Sequence, residues 1–237
     1  MKMREYVHPC LHFQCGLNRH RYAHDLNRLK PIFEFARISL NQSILPNAEM
    51  AALIHRARSK MSDVIRSAAM NRGPSPDTGS NHHAPSYIGI HIRRGDQRPS
   101  LWEYHHGYVP IAKYADATSK AWSRLLPSVP HPMAVYIASD SPSAQQELVK
   151  SLPTDTQVLS LSLSNDEELM GLESPKEYVQ AEFARLSEES RKRATRGMIV
   201  DFAMISGMWN QDAEVVPEAT VCTIRWATCR SHPFSAN

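Results

Sequence analysis

The densest run of chemically capable side chains in this sequence is His91-Ile92-Arg93-Arg94-Gly95-Asp96. If Tyr87–Ile92 is a strand, alternation places His91 and Arg93 on one face and lets Arg94 turn to the other. A guanidinium at a strand end, over a loop relaxed by Gly95, can fork two hydrogen bonds onto a phosphate. Asp96 can then hold one arginine in place or engage a sugar hydroxyl. An exposed Arg94–Asp96 ion pair of little energetic value fits the same spacing, and both readings stay open. Arg94-Gly95-Asp96 also spells a cell-adhesion tripeptide, but three residues carry little information and the end of a buried strand is a poor place for display.

The four cysteines fall into two pairs, Cys10 with Cys15 and Cys222 with Cys229. Neither has the two-residue gap of a zinc knuckle, and no histidine pair follows at ligand spacing, so no metal site is expected. Six residues separate Cys222 from Cys229. That loop closes as a disulfide if the two Cα atoms come within about 7 Å; two small buried thiols fit the spacing equally. Most of the twelve histidines lie in polar or loop-like runs and add nothing.

The elements that must position these groups alternate. Helices are expected over Ile32–Leu40 and Ala48–Ala69, the second with apolar residues at three- and four-residue spacing from Met50 to Ile65. A Gly-, Pro- and Ser-rich loop spans 71–85. Tyr87–Ile92 and Met133–Ala138 are short apolar runs of the kind that form buried parallel strands, with Val109–Leu125 as a helix between them. Ser141-Pro142 opens a further helix, Ser141 as N-cap and Pro142 at the first helical position. Val158–Leu163 is a third expected strand. An acidic loop over Asn165–Ser174 follows, then a charged helix over Lys176–Arg193 and an apolar helix over Thr195–Met208. Ala219–Ile224 is a last strand. Strands alternating with helices imply an α/β fold with a Rossmann-like parallel sheet, whose ligands bind beyond the carboxyl ends of the strands. The run His91–Asp96 lies at such an end.

Composition sets looser bounds. Of 237 residues, 42% are apolar and 22% charged, the balance of a folded globular chain. The net charge of +3 is small and the basic residues are dispersed, with no basic stripe interleaved with aromatics, so nucleic acid is not an expected partner. No apolar stretch approaches the roughly 20 residues of a membrane helix, and residues 1–22 lack the apolar core of a signal peptide, so neither signal nor anchor is expected in this chain. Residues 1–30 read as an irregular segment ahead of a single domain over 31–237.

Four ordered segments resemble the fucosyltransferase superfamily, which includes α1,6-fucosyltransferases, rhizobial nodulation fucosyltransferases and protein O-fucosyltransferases. Tyr87–Asp96 resembles its H-x-R-R-x-D motif. Val135–Pro142 is similar to its strand ending in a Ser/Thr-Asp pair, and Thr195–Ser206 to its Arg-Gly helix carrying an aspartate. Val221–Arg230 is similar to its final nucleotide-site loop, including both cysteines. The likeness covers about Pro31 to Arg230 and is greatest to fungal members. It implies the C-terminal, nucleotide-sugar-binding half of a GT-B glycosyltransferase. The donor would be GDP-fucose and the acceptor a glycan or protein, with inverting chemistry that needs no metal and a Golgi or secretory location.

The resemblance also implies roles. Arg93 would grip the diphosphate, with Asp96 beside it at the reacting centre. His91 and Asp201 would recognise guanine, whose paired donors suit a carboxylate. Arg94 and Asp96 would shape the donor pocket, Asp140 and Arg196 would support it through hydrogen bonds, and Thr223 would lie near the phosphates. Cys222 and Cys229 would form a disulfide. Each role has a plainer counterpart: Asp140 as a helix cap, Asp201 as a satisfied polar position, Arg196 paired with Glu188 or Glu189. The sequence also departs from the pattern. Gln97 and Leu101 stand where α1,6 members carry a lysine and a glutamate, Glu103 being the nearest carboxylate. Arg225-Trp226 stands for the Ser-Ser of the last loop. With little chain ahead of Ile32 for an acceptor-side GT-B domain, a truncated or degenerate nucleotide-binding chain without transfer is the alternative, and the isolated chain is expected to be inactive.

Overall fold

In a computed structural model the described residues are 38–39, 41–70, 86–95, 108–125, 132–211 and 214–222. Asn41–Ser43 is helical, as are residues 38–39, and Asn47 then caps helix α1 (Ala48–Met70), its Oδ1 accepting from the amide of Met50 at 2.9 Å. The stripe Met50, Leu53, Ile54, Ala57, Met61, Ile65 and Ala68 is buried, as the apolar spacing requires.

Among the described residues four parallel strands follow: β1 (Tyr87–Ile92), β2 (Ala134–Ser139), β3 (Gln157–Leu159) and β4 (Pro217–Cys222). They lie in the order β3-β2-β1-β4. Between them run α2 (Ile111–Leu125), α3 (Pro142–Ser151), two short helices α4 (Glu167–Met170) and α5 (Gln180–Phe183), and α6 (Glu188–Ser206). This is the α/β parallel sheet that the alternation predicts.

Alternation along β1 divides the core. Ile88, Ile90 and Ile92 pack with Ile111, Tyr114 and Trp122 of α2 and Ala144 and Leu148 of α3. Tyr87 packs on the other side with α1 and with Val200, Ala203 and Met204 of α6. Each fully buried isoleucine contributes about 1.5–3 kcal/mol. The sheet is thus covered on both faces, which is why its strands read as nearly continuous apolar runs. At Gly89 a Cβ would stand 3.1 Å from the Cα of Ile205, so the missing side chain lets α6 lie against the strand.

Beyond shifts of one or two residues at element ends, three stretches differ from expectation. The third strand ends at Leu159, and Ser160–Ser164 turns away instead. The acidic loop contains α4, capped by Asp166, whose Oδ1 accepts from the amides of Glu168 and Leu169. The charged helix expected over Lys176–Arg193 and the apolar one expected over Thr195–Met208 are replaced. Residues 176–179 are irregular, α5 is one turn, and α6 runs unbroken through residue 194 to Ser206. Ser187 sets its start, its Oγ accepting from the amide of Ser190, and Gly207 in the left-handed region ends it.

Candidate functional site

From β1 the chain moves through α2, β2 and α3 to the edge strand β3, then returns by way of α6 to β4 on the other side of β1. The connections after β1 and before β4 therefore leave in opposite directions. Where strand order reverses in this way, the carboxyl ends of adjacent strands part and leave a crevice. Among the described residues the rung His91↔Cys222 is the last between β1 and β4, and Arg93 stands two residues beyond His91.

Arg93 is partly exposed, its side chain 24% accessible. Its Nη1 stands 2.8 Å from Asp140 Oδ2, just past the end of β2. Asp140 Oδ2 makes no hydrogen bond although it is buried, so this contact is an ion pair off the hydrogen-bond line. The other oxygen, Oδ1, accepts from the Arg94 amide at 2.6 Å, which ties the end of β1 to the end of β2. The Arg93 guanidinium carbon lies over the Tyr178 ring, 4.7 Å from its centre, an arrangement favoured by the ring quadrupole. Arg94 turns the other way, 4.9 Å from the ring of Tyr108, with Nη2 donating to Val109 O at 3.4 Å. Gly95 has φ +61°, and a Cβ there would run into the carbonyl of Tyr178; its own carbonyl accepts from the Tyr108 hydroxyl. The turn thus needs glycine twice over, for backbone sign and for room.

Burial pushes the Asp140 carboxyl upward, an effect larger than the opposing pull of the Arg94 amide and Arg93. Burial also lowers the pKa of His91, with Arg93 acting in the same direction, which holds the ring neutral at pH 7. Asp201, half-buried on α6, accepts from the Tyr136 hydroxyl at 2.7 Å. Burial raises its pKa to about 7, against the Tyr136 hydrogen bond and helped by the charge of Glu173. It therefore titrates in the neutral range.

Of the residues singled out by sequence, Arg93, Arg94 and Asp140 come together, and His91 shares the α6 face of β1 with Arg93. Asp140 does not cap α3; Ser141 does, its Oγ accepting from the Ala144 amide at 3.3 Å. Arg196 reaches the first turn of α1, where Nη2 stands 2.8 Å from one carboxylate oxygen of Glu49 and 3.1 Å from the other. That partner is neither Asp140 nor Glu188, which takes Lys192. Asp96, Gln97, Leu101, Glu103, Thr223, Arg225, Trp226 and Cys229 lie outside the described residues, as does the structure of residues 1–37. Among the described residues no group of three His, Cys, Asp or Glu side chains is placed to hold a metal. No described helix is long and apolar enough to cross a membrane.

Tyr108, Tyr136, Glu177 and Tyr178 are not singled out by any sequence pattern named above. Alternation along β2 puts Tyr136 opposite α6 and is a signal for it. A helix expected over 176–193 hides Tyr178.

No family model and no curated protein matches this sequence.

The arrangement has a definite chemical capacity. Arg93 offers a partly exposed guanidinium just beyond the carboxyl end of β1, with His91, whose pKa burial lowers, on the same strand face. Such a cation can hold a phosphate oxygen and stabilise charge that develops on a departing diphosphate. Asp201 offers an acceptor pair when ionised and a donor when protonated.

Proposed function

We propose that the crevice beside β1 binds the diphosphate of a nucleotide sugar, and that the chain is the donor-binding half of a GDP-fucose-dependent transferase. The observation that carries this reading is the position of Arg93: a partly exposed arginine at the carboxyl end of the central strand, at the point where strand order reverses. The ordered resemblance of four segments to fucosyltransferases supplies the base and the sugar. In this reading Arg93 takes the diphosphate and stabilises the charge released as the glycosidic bond breaks. Asp140 orients Arg93, and the Asp201 carboxylate faces the paired donors of guanine from α6.

The test is calorimetric titration with GDP and GDP-fucose. Loss of one charge-assisted pair costs about 2–3 kcal/mol, a factor of tens to roughly a hundred in affinity. Arg93→Ala should weaken GDP binding by that factor, and unchanged affinity would remove the core of the proposal. A radiolabelled transfer assay with glycan and peptide acceptors then separates a working transferase from a chain that binds nucleotide without turnover.

A further inference from the structure

The segment between α4 and α5 crosses the carboxyl ends of β1 and β2 and is fastened there at several points. The Tyr178 amide donates to Asp140 O at 3.0 Å. The Tyr178 carbonyl packs over Gly95, and its ring covers the Arg93 guanidinium. One residue earlier, Glu177 Oε1 accepts from Ser141 Oγ at 2.6 Å and from Ser143 Oγ at 3.3 Å, at the start of α3. Glu177 is itself exposed, and its charge is felt at Asp140. Arg93 therefore has a carboxylate beside it and an aromatic ring against it, while the charge of a second carboxylate, Glu177, acts on its partner Asp140. These are the kinds of contact that an anionic, ring-bearing ligand would make.

We infer that residues 176–179 are an internal latch: Tyr178 covers Arg93, Glu177 pins the segment to the start of α3, and a diphosphate must displace the segment to bind. This rests on the reading of Arg93 as an anion site and adds its regulation. The sign of the effect separates a latch from a simple wall. If the segment were a wall of the site, removing its contacts would weaken binding; if it competes with the ligand, removing them strengthens it.

The experiment uses the full chain, inorganic pyrophosphate as probe, calorimetry for affinity and hydrogen exchange at the Tyr178 amide for the latch itself. Glu177→Gln removes a negative charge at an exposed position and leaves the fold intact. It should tighten pyrophosphate binding about threefold to fivefold, the worth of an exposed charge interaction, and speed exchange at the Tyr178 amide in the free chain. Tyr178→Leu should likewise tighten binding, and pyrophosphate should speed exchange at the same amide in the unaltered chain. Weaker binding in either variant, or slower exchange on adding pyrophosphate, overturns the latch. Binding with an unchanged affinity in Glu177→Gln overturns the latch alone, leaving the anion site in place. If no form of the chain binds pyrophosphate, latch and anion site fall together.

Discussion

Replacing Asp201 with asparagine should stabilise the protein above neutrality and leave it almost unchanged near pH 4. Burial raises the carboxyl from 3.8 to about 7, so between those values the folded chain holds a proton that the unfolded chain has released. An acid with a raised folded pKa gives stability that is complete below its unfolded pKa and is lost as pH rises through the folded one. The window here is about pH 4 to pH 7. A span of roughly three units at about 1.4 kcal/mol each sets a ceiling near 4 kcal/mol. Asp201 is only half-buried and keeps the Tyr136 hydroxyl as a donor, so about 1–3 kcal/mol is expected. Asparagine preserves the acceptor for Tyr136 without the charge. Urea denaturation of both proteins at pH 4, 5.5, 7 and 8 reads the difference directly. A gap that is the same at pH 4 and pH 8 would refute the reasoning, because it would place the effect in packing and not in the proton.

Further outcomes follow from other parts of the structure. Arg58 is 1% exposed, and its guanidinium donates to Met208 O at 2.6 Å, Trp209 O at 2.9 Å and Glu214 Oε2 at 2.7 Å. Arg58→Met should cost about 3–5 kcal/mol, since Glu214 is left with only His55 and the Gln211 amide and the carbonyls of Met208 and Trp209 lose their donor; a loss below about 1 kcal/mol in urea denaturation would contradict this. Protein from a secretory host should yield a non-reduced peptide joining Cys222 to Cys229 in mass spectrometry, while two alkylatable thiols there would dismiss the expected disulfide.

Local signals determined how much of this was legible in the sequence. The buried runs Tyr87–Ile92 and Met133–Ala138 have no competing reading, and Ser141-Pro142 is a start signal that needs no distant partner. The charged stretch 176–193 offers no apolar stripe, so helical propensity extended a helix that Ser187 in fact begins. Arg58 lies within the apolar spacing of α1, four residues after Ile54 and three before Met61. That placement was the available clue to a buried charge, but its partners come from residues 203–214, which no local pattern can indicate. The same limit applies around Arg93: the strand end was readable, whereas its contacts with Asp140 and Tyr178 depend on how three separated segments meet.

The place of β4 in the sheet has a consequence for the order in which the molecule is made. The central strand β1 has β2 on one side and β4 on the other, yet β4 begins more than a hundred residues after β1 ends. While the chain is being synthesised, β1, β2 and β3 can pair as soon as their helices emerge, but the flank of β1 beside His91 stays bare until the long stretch up to β4 has also been made. Closing so long a loop is slow, and an unpaired strand edge invites wrong neighbours in the interval. Pairing of β1 with β4 can therefore begin only after β1, β2 and β3 have all been made, and the Arg58–Glu214 contact, which fastens the approach to β4, is likewise available only late.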